Sequence, residues 1–171
     1  GIRDKLVTGV QTCALPIYFK KVSMIKVFSK IEPEKLLHII YNLNEVKDRE
    51  DLIPETNFLQ VSVVRKDSGK KFKTHKHIFK DIDYTKQIAQ ESWFVYKGKI
   101  KVYHYDIDDS LLGIHELSSG DMNITLLGGH TFEILEDDTI ICEQKNGPYY
   151  GQELDKKFIK DRKSTRLNSS H

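Results

Sequence analysis

Cysteine is almost absent from this chain: only Cys13 and Cys142 occur among its 171 residues, too few for the disulfide framework of a small secreted scaffold. Long apolar runs are missing too. Nothing approaches the roughly 20 consecutive apolar residues that cross a bilayer. Met24 is followed at once by the mixed IKVFSKIEPEK, which lacks the charged-then-apolar pattern of a signal peptide. Neither a dinucleotide-binding GxGxxG nor a P-loop is present, and the Gly pair at 128–129 lacks the context of either. The GxSxG nucleophile elbow is absent as well. No charge of one sign dominates, with 27 basic and 25 acidic residues, so nothing electrostatic points to nucleic acid or an anionic membrane as partner. No internal repeat or low-complexity tract stands out.

Both ends resemble translated sequencing-library adapter. VTGVQTCALPI, residues 7–17, matches one reading frame of a common short-read adapter, and DRKSTRLNSSH, residues 161–171, matches its other strand. Such segments belong outside fold reasoning. The expected organisation is therefore a non-native segment over 1–23, an N-terminal helix and loop over 24–57, a β domain over 58–160, and an adapter-derived tail over 161–171. Removing 1–17 and 161–171 takes away five basic and two acidic residues and leaves 22 and 23, so the slight basicity belongs to the ends. Cys13 leaves with them. A lone Cys142 fits a reducing cytoplasm, and about 140 residues fit one domain with one core.

Within 24–57, Pro33 suits a first helical turn, and Leu36, Leu37, Ile40, Tyr41 and Leu43 recur at helical spacing, predicting an amphipathic helix over about 33–44. From Phe58 onward the texture changes to short apolar or alternating runs punctuated by Gly, Asp and Asn: FLQVSVVR, KFKTH, ESWFVYKG, KIKVYHYDI, SLLGIHEL, MNITLL, HTFEILE and TIICEQK. This is the pattern of an antiparallel sandwich or barrel. KGK at 97–99 and EDDT at 136–139 read as tight hairpin turns.

The chemistry lies in a dispersed quartet: His75 and His77 in THKH, Glu91 in QESWFVYKGK, and His130 in GGHTF. Alternate residues of an extended strand share a face, so THKH, if extended, projects two imidazoles together. A third histidine and a carboxylate complete a mixed N/O set for a divalent transition metal such as Fe, Mn, Zn or Ni, with positions left for water or substrate. Gln90 competes with Glu91 for the inward position. Alternation places Ile100, Val102 and His104 on one face of their strand and Tyr103 and Tyr105 on the other; His115 shares a face with Leu111, Gly113 and Leu117. His104, Tyr103, Tyr105, Trp93, His115 and Glu143 are the candidate pocket residues, with core packing or a dimer interface as the simpler role for Trp93, Phe94 and Tyr96.

The order Gly69, five residues, His75-Lys76-His77, Glu91, six residues, Gly98 resembles the first motif of the cupins, small jelly-roll barrels. Thirteen residues separate His77 from Glu91, so the connecting loop exceeds the pattern by about ten. The second motif is partial, running from Gly120-Asp121 to Gly128-Gly129-His130 without its usual proline or terminal asparagine. CEQKNGPYYGQELDKKFI is similar to the ending of WbuC-like cupin-fold metalloproteins of bacterial surface-polysaccharide gene sets. The resemblance implies a mainly β jelly-roll barrel, commonly a homodimer, binding metal through His75, His77, Glu91 and His130. It also implies a sugar or nucleotide sugar as ligand, with isomerase or epimerase-type chemistry in O-antigen or capsule assembly. A non-haem iron dioxygenase, a non-catalytic ligand-binding cupin and a metal-free epimerase built on a His and Tyr pair are the alternatives. No residue declares itself as the general base that an isomerase needs.

Overall fold

The computed structural model describes residues 17–18, 23–77 and 87–159, with 17–18 as backbone only. Most of the adapter-like ends, 1–16 and 160–171, lie outside the described residues. In chain order the strands are β1 (Ile17–Tyr18), β2 (Met24–Phe28), β3 (Leu36–Asn42), β4 (Arg49–Asp51), β5 (Ser62–Val64), β6 (Glu91–Lys97), β7 (Lys99–Tyr105), β8 (Leu111–Ser118), β9 (Asp121–Thr125), β10 (Gly129–Ile134) and β11 (Ile140–Lys145). One short helix, α1 (Gln152–Asp155), follows them.

Two sheets stack face to face. One has the order β1-β8-β7-β10 and the other β11-β6-β9-β3-β2, antiparallel throughout except where β1 joins β8. Ile40, Trp93 and Val95 from the second sheet pack against Ile100, Val102 and Leu117 from the first. The outer face of the second sheet is covered as well, since Ile39, Tyr41, Met122 and Ile124 bury against Val46, Leu52 and Ile53 of the segment that carries β4 and β5. The protein is thus mainly β, in antiparallel sheets, and the described strands form separate sheets rather than a closed barrel.

The helix expected over 33–44 is a strand. Residues 37–41 are buried, because β3 lies between β2 and β9 with an apolar layer on each side. A strand covered on both faces reads as an unbroken apolar run, and its spacing mimics a helical stripe. The β-branched pair Ile39-Ile40 favours the extended form. Pro33 falls in the turn between β2 and β3.

The two expected hairpin turns also differ from their reading. Gly98, at φ +86°, joins β6 to β7, and residues 135–139 join β10 to β11, yet each pair of strands lies in opposite sheets. They are corners between layers. A Cβ at Gly98 would collide with Thr139, so the two corners pack on each other and only glycine fits at the first. KFKTH is not a strand, since residues 65–77 have no strand or helix.

Candidate functional site

The space between the sheets has an apolar end and a polar one. Strand pairing explains the division. On the second sheet Glu91 pairs with Thr125 and Lys145, Trp93 with Asn123 and Glu143, and His38 with Thr125, so these side chains share its inner face. On the first sheet His130 pairs with His104, and Val102 with His115. A cavity of about 780 Å³ opens at this end, lined by Glu91, Trp93, His130, Phe132, Glu143 and Tyr105 among others.

Glu91 and His130 meet there. His130 Nε2 lies 3.4 Å from Glu91 Oε1, close enough for an ion pair but without hydrogen-bond alignment. His130 Nδ1 is buried and has no hydrogen-bond partner either. Burial pushes the Glu91 carboxyl up, but His130, the charge of Lys156 and the Trp93 N–H outweigh it and hold the group below its usual value. Trp93, the single tryptophan, is only 4% exposed. Its indole N–H donates to Glu143 Oε2 at 3.3 Å, and its ring meets His130 and Phe132 edge-on, at centroid distances of 4.6 and 4.7 Å. Gln90 is committed elsewhere: its carbonyl accepts from Leu59 N at 2.8 Å and its amide donates to Asn57 and Leu126.

His75 and His77 are not brought to that pair. Both are exposed, on a segment without regular structure, with their rings edge-to-face at 5.5 Å. His75 Nδ1 lies 3.0 Å from the Lys73 carbonyl, so it carries the proton and leaves Nε2 with a free lone pair. That tautomer suits a metal ligand. Among the described residues no three His, Cys, Asp or Glu side chains converge closely enough to hold a metal ion. Residues 78–86, between THKH and Glu91, lie outside the described residues.

Of the other candidates, Tyr105 lines the cavity. A register shift between His104 and Tyr105 breaks the alternation that would have kept it with Tyr103. Tyr103 stays outside, donating to Glu133 Oε2 at 2.9 Å. His104 and His115 are buried deeper, beneath the cavity floor, in a layer that includes His38, a residue the sequence reading missed. His38 stacks on His104 at 4.1 Å and 11°, and His104 meets His115 at 5.2 Å. Lone pairs lie in the ring plane, so two imidazoles stacked this way cannot aim nitrogens at an ion between them.

The hydrogen bonds of this layer fix their own direction. His38 Nε2 faces the Tyr105 carbonyl at 3.2 Å and must donate, so its Nδ1 accepts from the Thr125 hydroxyl at 3.1 Å. Thr125 Oγ1 in turn accepts from Asn123 Nδ2 at 3.4 Å, and Asn123 Oδ1 accepts from His104 Nε2 at 2.7 Å. The accepting Nδ1 marks His38 as neutral, and burial rather than hydrogen bonding favours the neutral form of both rings. Burial is the main cause of their lowered pKa values, taking His38 down to about 4 and His104 well below the ordinary value.

The chain from Asn146 to Ile159 crosses the cavity mouth. Lys145 Nζ pairs with Asp155 at 2.8 Å, with side chains only 15% and 12% exposed, and Ile159 packs so closely on Gly129 that a Cβ there would collide with it. Gln152, Lys156, Lys157 and Phe158 complete the rim. No signal of spacing marked these residues, because α1 is too short to show a period.

The fold and site define a β protein of two stacked sheets and a small β4–β5 sheet, with a partly covered cavity between the stacked layers lined by aromatic, acidic and imidazole side chains. Comparison with family models, curated proteins and solved structures finds no match to the chain. No helix among the described residues is long and apolar enough to cross a membrane.

Proposed function

We propose that the chain is a cupin-type metal-binding protein whose cavity takes a sugar or nucleotide sugar, with Glu91, His130, His75 and His77 as the metal ligands. The observation that carries this reading is the approach of His130 Nε2 to Glu91 Oε1, 3.4 Å apart at the wall of a cavity large enough for a sugar, with Glu91 Oε1 and His130 Nδ1 both buried and without hydrogen bonds. Buried polar atoms without partners cost free energy unless a ligand or ion satisfies them. The Nδ1-protonated tautomer of His75 adds a third donor ready for an ion. A jelly-roll barrel, a homodimer and a role in surface-polysaccharide assembly follow from the cupin resemblance, and a cytoplasmic setting from the lone Cys142.

When bound, such an ion polarises a carbonyl or a hydroxyl pair as a Lewis acid. The chain's own groups supply the rest. Trp93, with Phe132 edge-on against it, forms an aromatic wall beside His130. Glu143, which lines the cavity and accepts from the Trp93 N–H through Oε2, is the carboxylate we assign to accept or return a proton.

This ligand set requires residues 70–77 to close on the cavity when metal binds. The segment KKFKTHKH holds Lys70, Lys71, Lys73 and Lys76, four exposed trypsin sites. Zinc or nickel at one equivalent is expected to slow tryptic cleavage at these sites severalfold, while calcium does not. Cleavage at an unchanged rate with metal bound would remove His75 and His77 from the site.

A further inference from the structure

The cavity rim joins charges of opposite sign at different depths. Glu91 is buried within, while Glu143 lines the wall as an exposed carboxylate whose Oε2 accepts from the Trp93 N–H. Lys156 and Lys157 stand at the mouth, and among the described residues neither forms an ion pair. Lys145 differs. Its charge is spent on Asp155, in an ion pair largely withdrawn from water, and its Nζ also sits 4.4 Å above the Tyr149 ring. The ion pair ties Asp155, the residue immediately before Lys156, to the end of β11. Lys156 is near enough that its charge acts on the Glu91 carboxyl.

We propose that Lys156 and Lys157 form an anion subsite at the cavity mouth, which takes the phosphate of a phosphorylated sugar whose hydroxyl-bearing body enters toward Glu91 and His130. Two lysines lining the mouth, with no arginine beside them among the described residues, suit a compact dianion better than the planar fork of a carboxylate. The buried Glu91 carboxylate suits hydroxyl donors and repels a second anion, which orients the ligand with its phosphate outward. This rests on the reading of the cavity as a sugar site but not on the metal.

Trp93 reports directly on the cavity, being the single tryptophan and lying on its wall. The test uses metal-free protein of the full chain, with acrylamide quenching of Trp93 fluorescence, because this small neutral quencher reaches an indole only 4% exposed, and inorganic pyrophosphate as the phosphate probe at constant ionic strength. Pyrophosphate is expected to protect Trp93 from acrylamide saturably, and Lys156→Gln/Lys157→Gln to weaken that protection at least about tenfold. Sulfate at matched ionic strength should protect less. Both lysines are exposed, so the variant keeps the fold, which circular dichroism checks. Absence of protection in the parent, or equal protection in the variant, overturns the subsite. Separately, zinc or nickel binding in the same preparation tests the metal reading: metal bound without pyrophosphate protection means that the subsite alone fails, and neither response means that both fail.

Discussion

Stability measured by urea unfolding is expected to fall by about 3 kcal/mol between about pH 7 and pH 4, through His38 alone. The side chain is fully buried, and burial lowers its pKa from the ordinary 6.5 to about 4. The sign follows from which state takes the proton. Well above pH 6.5 neither folded nor unfolded His38 is protonated, and the full stability is present; as the pH falls through 6.5 toward 4 the unfolded chain binds a proton that the folded chain excludes. His104 and His115 face the same layer and shift in the same direction, which steepens the loss. Asp106, the carboxylate whose charge acts on His38, is itself held below its usual value by the Ser29 hydroxyl and the Lys30 N–H, against the upward push of burial. Protonating it at lower pH removes stability as well. His38→Leu should flatten the dependence between pH 6.5 and 4; an unfolding midpoint in the parent that stays constant across that range would show that the imidazole layer is not held neutral.

Asn123→Leu, which keeps the branched shape of the side chain but adds bulk, should cost about 3 kcal/mol, chiefly through the donor it leaves unpaired. Asn123 is 1% exposed and links His104 to Thr125 in the hydrogen-bond chain. Removing it leaves the His104 Nε2–H without an acceptor, on a ring whose Nδ1 already lacks a partner. Replacing both members by apolar groups removes the orphan along with its partner. Adding His104→Phe to Asn123→Leu should therefore recover part of the loss, as measured by a double-mutant cycle. Simple additivity of the two losses would contradict a coupled network.

The inner faces of β6 and β10 were legible in the sequence, because Glu91, Trp93 and Val95 alternate and His130 opens an equally regular run. The polar layer beneath them was not. His38 sits inside LLHII, where continuous burial erases the alternation that would show which way an imidazole points, and the same burial turned a central strand into an apparent helix. Asn123 and Thr125 have no special spacing; their importance comes from pairing with β6 and β3, a fact of topology. The Gly98 and Thr139 corners carried correct turn chemistry, but turn residues do not say whether the next strand returns to its own sheet or crosses to the facing one. Tyr105 turned into the cavity through a shift of register that no local signal announces. The Lys145–Asp155 latch joins a strand end to a four-residue helix, and at that length neither element has a period to read.

Metal content tests the central claim most directly. The full chain, reconstituted with a mixture of zinc, nickel, manganese and iron and then desalted, should carry about one equivalent of a transition metal by inductively coupled plasma mass spectrometry. His75→Ala/His77→Ala and His130→Ala should each lose it while keeping the parent's circular dichroism. No bound metal in the parent, or metal retained in both variants, would contradict the assignment and leave the Glu91 and His130 pair as part of a metal-free cavity.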